Sequence, residues 1–154
     1  MLVSIGNEVL DYKTSSPKFK NYLTELLEYY KEPIYKAAKK LICKQLNINF
    51  EDIDDIDYQF MDQLDIKEFV FDLCSKINEN INVEHINFII IGKMIHFYKM
   101  AQLDILYNYG IKEIKIETNI NSCNICKDRF KNKIKIENID ETMIHPYCYT
   151  KFII

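Results

Sequence analysis

The chain has few of the residues that phosphate-binding loops and export signals require. Glycine and proline each occur three times in 154 residues, and tryptophan does not occur. A Rossmann or P-loop site needs several glycines in one short loop, so this scarcity argues against a nucleotide-binding fold. The first ten residues have neither a basic start nor a long apolar run, and the most apolar stretch, residues 86–109, contains charged side chains. We therefore expect a soluble, intracellular protein with no signal peptide and no membrane span.

Arginine is also scarce, and neither sign of charge dominates. Lysine supplies 19 of the 20 basic residues, and the net charge is −3. Residues 1–110 carry 12 basic and 17 acidic groups, whereas residues 111–154 carry 8 and 6. A chain with this balance is not a strong polyanion binder as a whole. Its length and its 48% apolar content fit one compact domain with a small additional lobe.

Three cysteines and one histidine near the end of the chain form two closely spaced pairs. Cys123 and Cys126 are separated by two residues, and so are His145 and Cys148, with eighteen residues between the pairs. Zinc takes four such ligands in a tetrahedron, and a two-residue gap lets one tight turn aim both members of a pair at one ion. The pattern predicts a structural zinc site. A reduced redox pair at Cys123 and Cys126, or unrelated buried cysteines, are the alternatives.

The residues around the first pair alternate between apolar and polar. This alternation over residues 111–117 and again over residues 130–137 predicts two short strands, with Cys123 and Cys126 in a turn beside them. A redox pair would instead place its first cysteine at the start of a long helix, and the sequence after Cys126 does not have a helical pattern. Residues 111–154 are too few to hold a stable core unaided, so a metal cross-link has a structural role there.

Helical periodicity dominates the rest of the chain. We predict a first helix to about residue 31, a break at Glu32 and Pro33, a second helix to about residue 46 and a weaker helix over residues 50–64. Asp65 caps a further helix that buries Cys74, and the longest helix runs over residues 83–109 and is closed by Gly110. Residues 1–15 are expected to form a poorly ordered arm.

The predicted fold class follows from this division. We expect an α+β protein in which residues 1–110 form a bundle of four to five helices, and residues 111–154 form a zinc-stabilised β-hairpin lobe led by the long helix. His85 and His96 share a face of that helix, but three turns separate them by ~16 Å, so they cannot bind one ion together. Both are expected at the surface or at the boundary of the core.

Five basic residues follow the first cysteine pair. They give a local charge of +4 after Asp128 is counted, and they are Lys127, Arg129, Lys131, Lys133 and Lys135. On an alternating strand, the last three would point the same way and form a ridge able to contact phosphates. A solvated strand face is the other interpretation. The cluster makes a zinc-ribbon-like nucleic-acid-binding protein the alternative function.

The last sixty residues resemble the C-terminal part of phage head morphogenesis (minor capsid, MuF-like) proteins. In that family a long helix ends in a turn with Asn, Tyr and Gly, followed by a strand, a CxxC pair, a small hairpin and an HPxC motif. The matching residues here are Asn108, Tyr109, Gly110, Ile111, Thr118, Cys123, Cys126, His145, Pro146 and Cys148. Where the family continues with Arg-Cys, this chain has Tyr149 and Thr150, so His145 is needed as the fourth ligand.

The resemblance implies a structural protein of phage head assembly. Its partners would be portal, capsid or neck proteins, and its location the virion, with the host cytoplasm during assembly. Self-association and contact with DNA stay open. We do not expect an enzyme, because an HNH-type nuclease needs a histidine outside the zinc site, and only His145 lies near. No catalytic triad, activated cysteine or carboxylate pair can be assembled from the sequence.

Overall fold

A computed structural model describes residues 17–53, 58–77 and 83–154. The predicted arm at residues 1–15 lies outside them. The predicted α+β class is confirmed: the described residues are mostly helical, with one small antiparallel sheet. The helices are α1 (Pro17–Leu46), α2 (Ile66–Ile77), α3 (Val83–Asn108) and α4 (Asn124–Arg129), and the strands are β1 (Glu113–Glu117), β2 (Ile134–Lys135) and β3 (Lys151–Ile153). None of the described helices is long and apolar enough to cross a membrane.

The chain forms two compact units. One combines Met1–Pro33 with Asp65–Met94, and its described core contains Leu23, Leu27, Val70, Leu73, Ile86 and Ile90. The other combines Ile34–Leu64 with Ile95–Ile154, and it contains the sheet and both cysteine pairs. The division of the chain at residue 110 stays a prediction.

Helix α1 is continuous through Pro33, so the predicted break there was wrong. A proline inside a helix removes one backbone donor and costs about 3 kcal/mol. Leu23 and Leu27 are buried before the proline, and Ala38 and Ile42 are buried after it. Because eleven residues, three turns, separate Leu27 from Ala38, the apolar stripe keeps its phase across the proline. Burial of several such side chains, at roughly 1.5–3 kcal/mol for each large one, outweighs the local cost.

The weaker helix predicted over residues 50–64 was also wrong. The described part of this segment has only two 3₁₀ turns, Phe50–Asp52 and Met61–Gln63. The carboxylate of Asp104, in α3, takes the backbone donors that a helix would use, because it accepts from the N–H groups of Gln59, Phe60 and Met61 at 2.8, 2.7 and 2.9 Å. The described part of residues 1–110 therefore has three α-helices, not the four to five predicted.

Two of the predicted helix ends are confirmed in detail. The Asp65 carboxylate accepts from the Glu68 N–H at 3.0 Å and caps α2. Helix α3 ends at Asn108 and is closed by Gly110, whose φ is 105°. The Ile111 N–H donates to the Leu106 carbonyl, and the Gly110 N–H donates to the Tyr107 carbonyl. This pair of bonds is a Schellman motif, which satisfies carbonyls that the end of a helix leaves without intrahelical donors.

The sheet has three strands with β1 in the middle, between β2 and β3. Both pairings are antiparallel, with Ile114 opposite Ile134 and Ile116 opposite Phe152. Ile114, Ile116 and Phe152 are buried. The predicted hairpin is therefore joined by a third strand, β3, which the short apolar sequence at the end of the chain did not indicate.

Strand β2 is much shorter than predicted. The alternating strand expected over residues 130–137 was wrong, because only Ile134–Lys135 pairs and the chain then enters the 3₁₀ turn Ile136–Asn138. Ile136 is buried, and its N–H donates to the Lys112 carbonyl at 2.9 Å. Ile136 is therefore a buried residue at the start of this turn, where the strand and its alternation end.

Asp104 is the residue whose replacement we expect to cost the most in this part of the fold. Its side chain is fully buried, and burial raises the pKa of its carboxyl while the three backbone N–H groups oppose that shift. In Asp104→Asn an amide NH₂ group replaces one carboxylate oxygen. A donor would then face the backbone N–H donors of residues 59–61. We expect a loss of about 3 kcal/mol in the free energy of unfolding, measured by urea denaturation.

Asp72→Asn is the matched control. Asp72 is exposed on α2, so the same chemical change there should leave stability within about 0.5 kcal/mol of the wild type. Equal effects of the two substitutions would contradict the role given to Asp104.

Candidate metal centre

Cys123 and Cys126 lie at the start of the short helix α4. Cys123 is the N-cap, with φ −66° and ψ 159°, and its sulfur accepts from the Cys126 N–H at 3.4 Å. The predicted turn without a helix was therefore wrong, since α4 begins at Asn124. The sulfur takes the place of the oxygen that usually caps a helix. The helix has only six residues, so it is not the long helix that a redox pair was expected to begin.

His145 and Cys148 are held by a tight turn. The Cys148 N–H donates to the His145 carbonyl at 3.2 Å, and Pro146 occupies the second position of the turn. Proline favours this position because its ring fixes φ near the value that the turn needs. The turn places both side chains of the pair on one side of the chain, as the two-residue spacing predicted.

The two pairs meet in space. The sulfurs of Cys123, Cys126 and Cys148 lie 3.4, 3.3 and 3.8 Å from Nδ1 of His145, and all four ligand atoms lie within 4.8 Å of one another. Around zinc, a tetrahedron with Zn–S near 2.3 Å and Zn–N near 2.0–2.1 Å has nitrogen-to-sulfur edges of about 3.5 Å. The four side chains could therefore hold one metal ion of the zinc type.

The other two cysteines take no part. Cys43 and Cys74 are buried in the helical parts of the chain, and the sequence predicted the burial of Cys74. Among the described residues, no other group of three or more potential ligands gathers in this way. No disulfide links any of the five thiols, which are all free.

The thiols of the first pair differ in acidity. The Cys126 N–H, followed by the Cys126 side chain, lowers the pKa of Cys123 to about 6. Burial raises the pKa of Cys126 to about 12, and the neighbouring Cys123 and Cys148 add to the shift. Without metal, the site would hold a thiolate at Cys123 beside a protonated Cys126. Because metal ligands must be deprotonated, metal binding would release the Cys126 proton.

Side chains from outside the motif fasten the second ligand pair. Arg129 donates to the Met143 carbonyl at 2.5 Å, and His96 Nε2 donates to the Ile144 carbonyl at 2.6 Å. On the other side, Ser122 Oγ donates to the Tyr149 carbonyl at 2.9 Å, and Lys99 Nζ donates to the Thr150 carbonyl at 2.5 Å. None of these four side chains was predicted from the sequence to take part in the metal site. The sequence carries no signal that sets these residues apart, since α3 also has Lys93, Gln102 and Asp104 among its apolar residues.

The predicted nucleic-acid cluster does not form one ridge. Lys127 donates to the Ile120 carbonyl at 2.9 Å, Arg129 donates to Met143, and Lys131 pairs with Asp128 at 2.6 Å. Lys133 and Lys135 are exposed, but Lys131 precedes the two-residue strand β2 and does not share it. Two of the five basic groups therefore bond to backbone carbonyls within residues 111–154.

Cys123 should be the thiol that reacts fastest in the metal-free, reduced protein. Its lowered pKa populates the thiolate above about pH 6, so its alkylation rate should rise through that pH. Brief iodoacetamide treatment over a pH series, with peptide mapping by mass spectrometry, measures the rate at each cysteine. Burial raises the pKa of Cys43 and Cys74, which serve as internal controls. Equal rates at Cys123 and Cys74 would contradict this assignment.

Comparison with known proteins adds no relative. No family model, no curated protein and no solved structure matches the chain. The resemblance to phage head morphogenesis proteins stays a prediction based on the motif residues.

Proposed function

We propose that Cys123, Cys126, His145 and Cys148 hold one structural zinc ion. The observation that carries this proposal is the gathering of the four ligand atoms within 4.8 Å across an eighteen-residue separation. Four protein ligands fill a tetrahedral zinc site, whereas a catalytic zinc keeps one position for water or substrate. The ion therefore cross-links α4 to the turn before β3, and the proposal assigns it no catalytic step.

We further propose that the protein is a structural component of phage heads. Support comes from the motif resemblance and from exposed apolar side chains beside the ligand pairs, where Ile120 is 87%, Ile125 59% and Tyr147 46% exposed. These three residues lie beside or within the ligand pairs in the sequence, and contiguous exposed apolar residues are typical of surfaces that contact other proteins. The expected partners are portal, capsid or neck proteins, and the expected location is the virion.

Nucleic-acid binding is the second candidate. It is favoured by the exposure of Lys131, Lys133 and Lys135 around β2. Such binding would be electrostatic and therefore strongly dependent on salt. It is compatible with the first proposal, since a head protein can lie close to packaged DNA.

The purified protein should contain one zinc ion per chain, measured by elemental analysis. We expect Cys126→Ser to lose the metal, since the variant keeps only three ligands, while Cys74→Ser should keep it. Chelation should lower hydrogen-exchange protection in β1 and β3, because binding a structural metal contributes directly to the stability of the fold. Protection in α2 should persist. A wild-type protein without metal, or a Cys126→Ser variant that keeps it, would contradict the proposal.

The assembly role predicts that the protein co-purifies with phage particles or with their assembly intermediates. The Cys126→Ser variant should be depleted from both, because loss of the metal destabilises the lobe that carries the contact surface. Quantitative mass spectrometry of purified particles measures this, with Cys74→Ser as the matched control. Absence of the wild type from particles and from intermediates would refute the assignment.

The nucleic-acid candidate predicts a salt-dependent gel shift. We expect Lys133→Glu combined with Lys135→Glu to remove the shift, because both side chains are exposed and the charge reversal repels phosphate. Lys36→Glu combined with Lys40→Glu, two exposed positions on α1, is the control. A shift that does not depend on salt, or one that survives the Lys133 and Lys135 changes, would exclude this function.

A further inference from the structure

The turn that carries the second ligand pair belongs to no helix or strand. Residues 144–150 lie between the 3₁₀ turn Glu141–Met143 and β3. Backbone hydrogen bonds of regular elements therefore cannot fix where His145 and Cys148 stand. The position of this turn depends instead on side-chain donors from α3, α4 and Ser122 that reach its carbonyls.

We propose that His96 and Lys99 of α3 are positioning residues that set the metal affinity of the Cys123, Cys126, His145 and Cys148 cluster. The inference rests on the proposed zinc site. It assigns to α3, which contributes no ligand, a direct part in holding the ligands in place.

His96 acts on the peptide bond that leads into the first ligand of the pair. Its Nε2 lies 2.6 Å from the Ile144 carbonyl, and because a carbonyl only accepts, Nε2 carries the proton. The Ile144 carbonyl and the His145 nitrogen belong to one planar peptide unit. The bond from His96 therefore fixes the plane from which the His145 side chain extends. The Ile144 side chain is 1% exposed, so the same unit is also held by packing.

Lys99 acts on the chain that leaves the second ligand. It lies one turn after His96 on the same helix face, and its Nζ donates to the Thr150 carbonyl at 2.5 Å. The ammonium also lies 5.1 Å from the centre of the Phe152 ring, within the range of a cation–π contact. Phe152 is 2% exposed and faces Ile116 across the sheet. Lys99 therefore ties the residues after Cys148 to the centre of the lobe.

The hydrogen bonds from His96 and Lys99 hold the turn that carries His145 and Cys148 at both of its ends. One holds the residue before His145 and the other holds the second residue after Cys148, and both come from one rigid helix. Ligands that already stand in place bind with a smaller loss of conformational entropy, so pre-organisation raises affinity. Partners that orient metal ligands typically change metal affinity by about 10- to 100-fold when they are removed.

The test compares Zn²⁺ affinity among single variants of the full chain, measured by competition with a chelator. His96→Ala and Lys99→Met should each weaken binding by about 10-fold or more. His96→Gln should restore most of the affinity, because the glutamine amide can donate from nearly the same position as Nε2. Lys99→Arg should do the same through its guanidinium. His85→Ala, an exposed histidine on the same helix, should bind Zn²⁺ as the wild type does.

Rescue of Zn²⁺ affinity by His96→Gln and Lys99→Arg distinguishes a positioning role from a general loss of stability. Circular dichroism of each variant reports helix content, and if His96→Ala fails to fold, the Gln and Arg variants together with Lys99→Met decide the question. Unchanged affinity in Lys99→Met and in any folded His96→Ala would overturn the proposal. So would a His96→Gln variant as weak as His96→Ala, because the donor would then be irrelevant. If the wild type itself binds no Zn²⁺, the proposed function fails and this inference fails with it.

Discussion

The last third of the chain is arranged around four potential ligand atoms, three sulfurs and one ring nitrogen, that lie within 4.8 Å of one another. The first two ligands are placed by the start of α4, where the sulfur of Cys123 replaces the usual capping oxygen. The other two are placed by a tight turn whose carbonyls are bonded by side chains from elsewhere. A short helix and an irregular turn can serve one centre because the centre needs four atoms at defined distances and no particular secondary structure.

The features that the sequence predicts well are those decided within a few residues. The two-residue spacing of each ligand pair is fixed by the order of residues along the chain. The capping of α2 needs only Asp65 and Glu68, and the end of α3 needs only a residue that accepts positive φ, Gly110. The long apolar pattern of α3 also predicts a helix, whichever elements pack against it. Both the ligand set and the α+β class follow from such local signals, and the structure agrees with both.

Most of the features that the sequence does not predict are decided by distant partners, and one is decided by burial along a single helix. Pro33 does not break α1, because the buried stripe stays in phase on both sides of it. Asp104 takes the backbone donors of residues 59–61 and so prevents a helix more than forty residues away. Strand β3 exists because β1 offers a free edge. For residues 59–61 and for β3 the partner lies far away along the chain, which periodicity and propensity cannot register.

The two pairings of β1 imply an order of events as the lobe folds. Glu113 and Lys135 are much closer along the chain than Lys115 and Ile153, so the entropy lost in closing the loop is smaller for β2 than for β3. The β1–β2 contact should therefore form first. A metal ion held between Cys126 and His145 would shorten the effective loop that β3 must close. The ion would then speed the folding of the lobe as well as stabilise it. Chains that bind the ion early would form the complete three-stranded sheet sooner.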